Sequence, residues 1–187
     1  LSGHKIYGPK GVGALVCANT RPREQLEPLF YGGEQEQGLR PGTLNVHDIV
    51  GLGKACEICH SDGETEQQRT RELRDRIIDE VLTRVSNVQL NGHRQERLAN
   101  NVSFSFDELS ADVFSLGLGG LALSSGSACS SANPEPSHVL KAIGRSDQQA
   151  RASIRIGLGR STEANQVETV IQKIVQLTEK NQKISKV

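Results

Sequence analysis

"SGHKIYGPKGVGAL", Ser2 to Leu15, places Lys5 beside a histidine and among glycines and a serine. A second stretch, "SSGSACSSA" from Ser124 to Ala132, surrounds the thiol of Cys129 with serine, glycine and alanine. A lysine amine can condense with an aldehyde, and pyridoxal phosphate is the commonest such partner. The His4 imidazole and the Ser2 hydroxyl are suited to hydrogen-bond a phosphate, and flanking glycines let backbone pass close to a cofactor. Taken alone, "SGHK" is also the pattern of a surface lysine beside a histidine. The "GPKGVG" portion lacks the G-x-x-x-x-G-K-[ST] spacing of a phosphate loop. It also precedes an expected strand where that loop follows one, so that reading is rejected.

Working outward, "GVGALVCA" (Gly11 to Ala18) is expected to form a short apolar strand after a turn at Gly8, Pro9 and Gly11. Residues 21–45 are polar and rich in Gly and Pro and read as loop. Apolar spacing predicts a helix from Val46 to about Ser61, a hinge at "SDGETE" (Ser61 to Glu66), and a second helix from Glu64 to Val85. In that second helix Leu73, Ile77, Val81 and Val85 recur every four residues. Strands are expected at Val88–Leu90, Asn101–Phe106, Leu121–Leu123 and Ser153–Leu158. Helices are expected around Ala111–Leu118, Pro136–Ile143 and Glu163–Lys180. Alternating strands and helices indicate a layered α/β or α+β domain.

The chain has 187 residues, enough for one domain or two small ones. Lys plus Arg and Asp plus Glu both number 22, which argues against a generic nucleic-acid binder. The run from Arg69 to Arg76 is interrupted by Glu72 and Asp75 and reads as a solvated helix face. No apolar run approaches a membrane span, no signal peptide is evident, and no Met occurs anywhere. Four cysteines without disulfide-scaffold spacing suit a reducing, cytoplasmic setting.

Cys17 sits in an apolar stretch, the usual place of a buried structural thiol. "CEICH" (Cys56 to His60) fits the c-type haem pattern but falls in an expected helix. With no second Cys-x-x-Cys to complete a zinc site, no metal is expected and both thiols read as structural. Cys129, on a loop of small residues, reads as either a nucleophile or a harmless loop thiol. Arg155, in "SIRIGLGR", is either a paired strand arginine or a fork for a substrate carboxylate.

Four stretches in register, "SGHKIYGPKGVGAL", "GGEQEQGLRPGTLNV", "SSGSACSSANPEPSHVL" and "SIRIGLGRSTEANQVE", resemble the pyridoxal-phosphate-dependent cysteine desulfurases of the NifS/IscS-like family, within the class V aminotransferases. The "SSGSAC" loop is similar to the branch serving nitrogen fixation and iron–sulfur assembly. The resemblance implies an aspartate-aminotransferase-like α/β fold. Residues 1–62 would end the large cofactor-binding domain, and 63–187 would form the small domain carrying the cysteine loop. It implies that Lys5 forms the Schiff base, that Ser2 and His4 hold the cofactor phosphate, and that Thr43 reaches the phosphate of a neighbouring subunit in a homodimer. Cys129 would be the nucleophile and Arg155 the holder of the carboxylate of L-cysteine. The sulfur would pass as a persulfide to an acceptor or iron–sulfur scaffold protein.

Members of that family are about twice as long, so the chain is expected to be a fragment or one piece of a divided protein. Selenocysteine lyase and aminotransferase activities on the same fold, or a non-catalytic docking module, are the rival readings.

Overall fold

One helix, α1 (Val46–Arg84), runs unbroken through 39 residues where the sequence pattern predicts two helices and a hinge. The computed structural model describes residues 1–18, 25–107, 109, 118–124 and 135–184. The expected break fails because only Gly63 opposes the helix there. A mid-helix glycine costs about 1 kcal/mol relative to alanine, too little to end a helix that is hydrogen-bonded on both sides. A Cβ at Gly63 would meet nothing within 4 Å. The chain divides into two compact units, Leu1–Glu64 and Thr65–Val187, and the division falls inside α1.

In the first unit, residues 1–3 and 12–14 lie side by side through Gly3 N to Val12 O (2.8 Å) and Ala14 N to Leu1 O (3.0 Å). Beyond the isolated bridge between Ser2 and Gly13, the expected strand at Gly11–Ala18 does not form. A strand is defined by its hydrogen-bond ladder, and no second strand pairs with this stretch among the described residues. Leu15 and Val16 are accordingly exposed, and so is Cys17, which the sequence places in a core.

The second unit is a three-stranded antiparallel sheet in the order β1-β2-β3, formed by β1 (Val88–Leu90), β2 (Asn101–Phe106) and β3 (Ser153–Gly157). Among the described residues three further helices belong to it: α2 (His138–Ala142), α3 (Asp147–Arg151) and α4 (Ala164–Ile184). The short helix α3 was not legible in the sequence. It is fixed by a capping box in which Ser146 and Gln149 each satisfy the other's backbone N–H. The expected strand at Leu121–Leu123 is absent, and only Ser124 pairs, as a single bridge to Arg155. The helix expected at Ala111–Leu118 lies almost wholly outside the described residues.

Strand alternation puts Val102, Phe104 and Phe106 on one face of β2, all at most 1% exposed. They join Ile154 and Ile156 of β3, Ile77 and Val81 of α1, Val85 just after it, and Val167, Ile171 and Ile174 of α4 in one apolar cluster. Fully burying each such side chain contributes about 1.5–3 kcal/mol.

The opposite face is polar. Ser105 Oγ lies 2.9 Å from Asn91 Oδ1 and 2.6 Å from Ser153 Oγ, and Ser153 donates to Gln149 O at 2.6 Å. Arg145 closes this network by donating Nε to Asn91 Oδ1 (2.6 Å) and Nη2 to Leu90 O (2.7 Å). Buried hydroxyls persist here because each has a partner.

Because α1 is continuous, replacing Gly63 with alanine is expected to stabilise the chain by roughly 0.5–1 kcal/mol. Urea denaturation followed by circular dichroism checks this; a clear loss of stability would mean that residue 63 adopts a conformation other than helix.

Candidate functional site

The amine predicted to be reactive sits on a single 3-10 turn, Gly3–Ile6, closed by Lys5 N to Ser2 O (3.1 Å) and Gly8 N to Gly3 O (2.9 Å). Two glycines account for the shape. A Cβ on Gly3, which is buried, would lie 2.9 Å from Pro9 O and 3.0 Å from Val12 Cγ1. A Cβ on Gly51 of α1 would lie 2.6 Å from Pro9 Cγ, so the bare backbone there seats the proline. These two glycines allow the turn to pack on itself and on α1.

Ser2, His4 and Lys5 are all exposed, and none of their side chains has a hydrogen-bond or ionic partner among the described residues. An amine, an imidazole and a hydroxyl within four consecutive residues and free of internal partners form a donor set suited to an aldehyde that bears a phosphate. Thr43 belongs to the same unit and is also exposed. It follows a loop tied by Gly42 N to Gln35 Oε1 (3.0 Å) and by Arg40 Nη1 to Gly42 O (3.1 Å). No hydrogen bond joins Thr43 to the Lys5 turn.

Arg155 lies in the second unit, on β3 opposite Ser103 of β2. It is half-buried on the polar side of the sheet, and its guanidinium has neither a hydrogen bond nor an ion pair among the described residues. Among the described residues no carboxylate pairs with it. On the free edge of β3 the backbone of Ser124 pairs with Arg155 in both directions, N to O at 3.1 Å and 2.8 Å. Ser124 opens the cysteine loop. Its role in fixing the root of that loop beside Arg155 was missed at the sequence level, where the residue looked like one more serine. Cys129 itself lies outside the described residues.

Of the other thiols, Cys56 is exposed and Cys59 half-buried, both on α1. Neither belongs to a group of three or more metal-binding side chains among the described residues. Nor does any described helix have the length and apolarity to cross a membrane.

The description "Aminotransferase class-V" is that of a family model matching residues 1–170. Cysteine desulfurase IscS of Rickettsia typhi is 42% identical over 185 residues, covering 99% of this chain and 45% of that protein. Among solved structures, a NifS-like protein superposes with a TM-score of 0.77 at 28% identity, covering 94% of this chain and 44% of the other. SspA, solved in complex with cysteine, superposes with a TM-score of 0.62 at 37% identity, covering 84% and 42%. The chain thus spans a little under half the length of the relatives that it matches, and its α/β fold is that of the corresponding part of NifS-like proteins.

The exposures of the thiols predict an order of alkylation. Under native conditions iodoacetamide should modify Cys17 and Cys56 before Cys59, as read by peptide mass spectrometry after brief exposure; equal rates for all three would contradict the placement of Cys59.

Proposed function

The chain belongs to the class-V aminotransferase family, and on that premise we propose that it carries the lysine, the carboxylate-binding arginine and the acceptor thiol of a pyridoxal-phosphate-dependent cysteine desulfurase. In this reading residues 1–62 end the large cofactor-binding domain and residues 63–187 form the small domain. The observation that carries it is the guanidinium of Arg155, without a partner among the described residues, whose backbone is paired with Ser124, five residues before Cys129. The relatives named cysteine desulfurase and the neighbour solved with cysteine support the same substrate.

Lys5 would hold the cofactor through its aldehyde, with Ser2 and His4 on its phosphate and Thr43 on the phosphate of a second copy, which makes the working unit a homodimer. Bound pyridoxal phosphate supplies an electron sink next to the substrate's carbon skeleton. Arg155 binds the carboxylate of L-cysteine with two parallel hydrogen bonds and so fixes where the substrate sulfur points. Cys129, as the thiolate, attacks that sulfur. A sulfur–sulfur bond forms and the carbon–sulfur bond breaks, its electron pair remaining with carbon, which takes up a proton to give alanine. The persulfide left on Cys129 is then handed to an acceptor, which we take to be an iron–sulfur scaffold protein in the cytoplasm. Small residues on both sides of Cys129 suit a loop that must reach first the substrate and then the acceptor.

Three variants of the full-length enzyme test this. Cys129→Ser should bind cofactor and cysteine but retain no radiolabelled sulfur after brief exposure to labelled cysteine; label persisting on that variant would refute the thiol's role. Arg155→Ala should raise KM for cysteine by roughly 10–100-fold, the worth of a lost charge-assisted contact. Arg155→Lys should recover only part of that, because a point charge lacks the fork. An unchanged KM in both variants would return Arg155 to a purely structural role.

A further inference from the structure

Two stretches twenty residues apart bring four arginines to one groove of the second unit: Arg71 and Arg74 from α1, and Arg94 and Arg97 from the β1–β2 connection. The groove encloses about 490 Å³, and its acidic lining residues are Asp75 and Glu96. Asp75 is taken up by Arg74, whose Nε and Nη2 lie 2.9 Å and 2.8 Å from Oδ1. The buried Arg74 also donates Nη1 to Leu98 O at 3.2 Å, which ties the connection to α1. Arg94 gives Nη2 to Asp79 at 2.6 Å, while its Nη1 stands 3.8 Å from Asp75, an ionic separation beyond hydrogen-bond reach. Arg97 is held by its own loop, with Nε on His93 O at 2.8 Å and Nη2 on Asn91 O.

Two donors remain over. Nη1 of Arg94 and Nη1 of Arg97 are buried and have no hydrogen-bond partner among the described residues. A buried polar group without an acceptor is costly, and a charged one more so. Burial, followed by the neighbouring charges of Arg74 and Arg94, lowers the pKa of Arg97 from the ordinary arginine value, as in a cationic cluster short of counter-charge.

We propose that this groove is a binding site for a phosphate-type oxyanion carried by a small phosphorylated molecule. Guanidinium forks match phosphate oxygens bidentately. A phosphate presents more acceptor oxygens and more negative charge than a carboxylate, and so suits a cluster of several guanidiniums. The volume also exceeds what a bare ion fills, since a water molecule takes up about 30 Å³ of liquid, and this leaves room for the group that bears the phosphate. Glu96 adds a negative charge, yet four guanidiniums against Asp75 and Glu96 leave the lining net positive.

The test uses the ¹⁵N-labelled 187-residue chain, following the backbone amides of Gln95 to Leu98 by NMR. Inorganic phosphate and glycerol phosphate are each titrated against chloride and acetate at equal ionic strength. Both phosphates should give saturable shifts at these amides, and Arg94→Gln, which leaves the loop's anchoring through Arg97 intact, should weaken them about tenfold. Arg97→Lys, which keeps the charge but loses the fork, should weaken them as well and serves as the reading if Arg94→Gln does not fold. Shifts that grow linearly as with chloride, an unchanged curve in the folded variants, acetate binding as tightly as phosphate, or failure of the phosphate ester to bind would each overturn the assignment.

Discussion

β2 has to satisfy hydrocarbon on one side and a dense set of hydroxyls and guanidiniums on the other, and six residues in strict alternation do both. Val102, Phe104 and Phe106 close the apolar cluster with α1 and α4, while Ser103 and Ser105 face the polar side. Its register with β3 then dictates where Arg155 goes: opposite Ser103, away from the core, with its neighbours Ile154 and Ile156 turned inward. Shifting that pairing by one residue would exchange the faces and bury the arginine. The carboxylate-binding role proposed for Arg155 therefore rests on the same alternation that assembles the core. Interior packing and site geometry are one constraint in this unit.

Legibility in the sequence followed the strength of local periodicity. The four-residue spacing of Ile77, Val81 and Val85 and the alternation in "NVSFSF" mark their elements, because each pattern reports burial of a single face. The sequence misled where non-local pairing decides the outcome. "GVGALVCA" has strand composition, but strand composition does not provide a partner, and the stretch stays unpaired apart from one bridge. "SDGETE" has hinge composition, yet one glycine does not outweigh the helix on either side. The arginine groove was read as an interrupted charge run because Arg71 and Arg74 meet Arg94 and Arg97 only after the sheet has formed.

The candidate site divides in the same way. Lys5, His4 and Ser2 are adjacent in sequence, so a motif suffices to find them. Gly3 lies under Pro9 and Val12, so backbone contact alone accounts for a missing side chain there. Arg155 stood out in the sequence as a cation between apolar neighbours, but only the structure shows that its guanidinium lacks a partner among the described residues. The pairing of Ser124 with Arg155 carries no composition signal at all, since it is made by main-chain atoms.

The unbroken run of α1 has a consequence for how the chain can be divided. An intact helix interior leaves no orphaned backbone groups, whereas every new helix end exposes up to four N–H or four C=O groups. Cleavage between Glu64 and Thr65, where the compact units meet in sequence, would create both kinds of end at once. The ladder of α1 is continuous through residues 64 and 65, so opening the helix at that point gives up backbone hydrogen bonds on either side of the break.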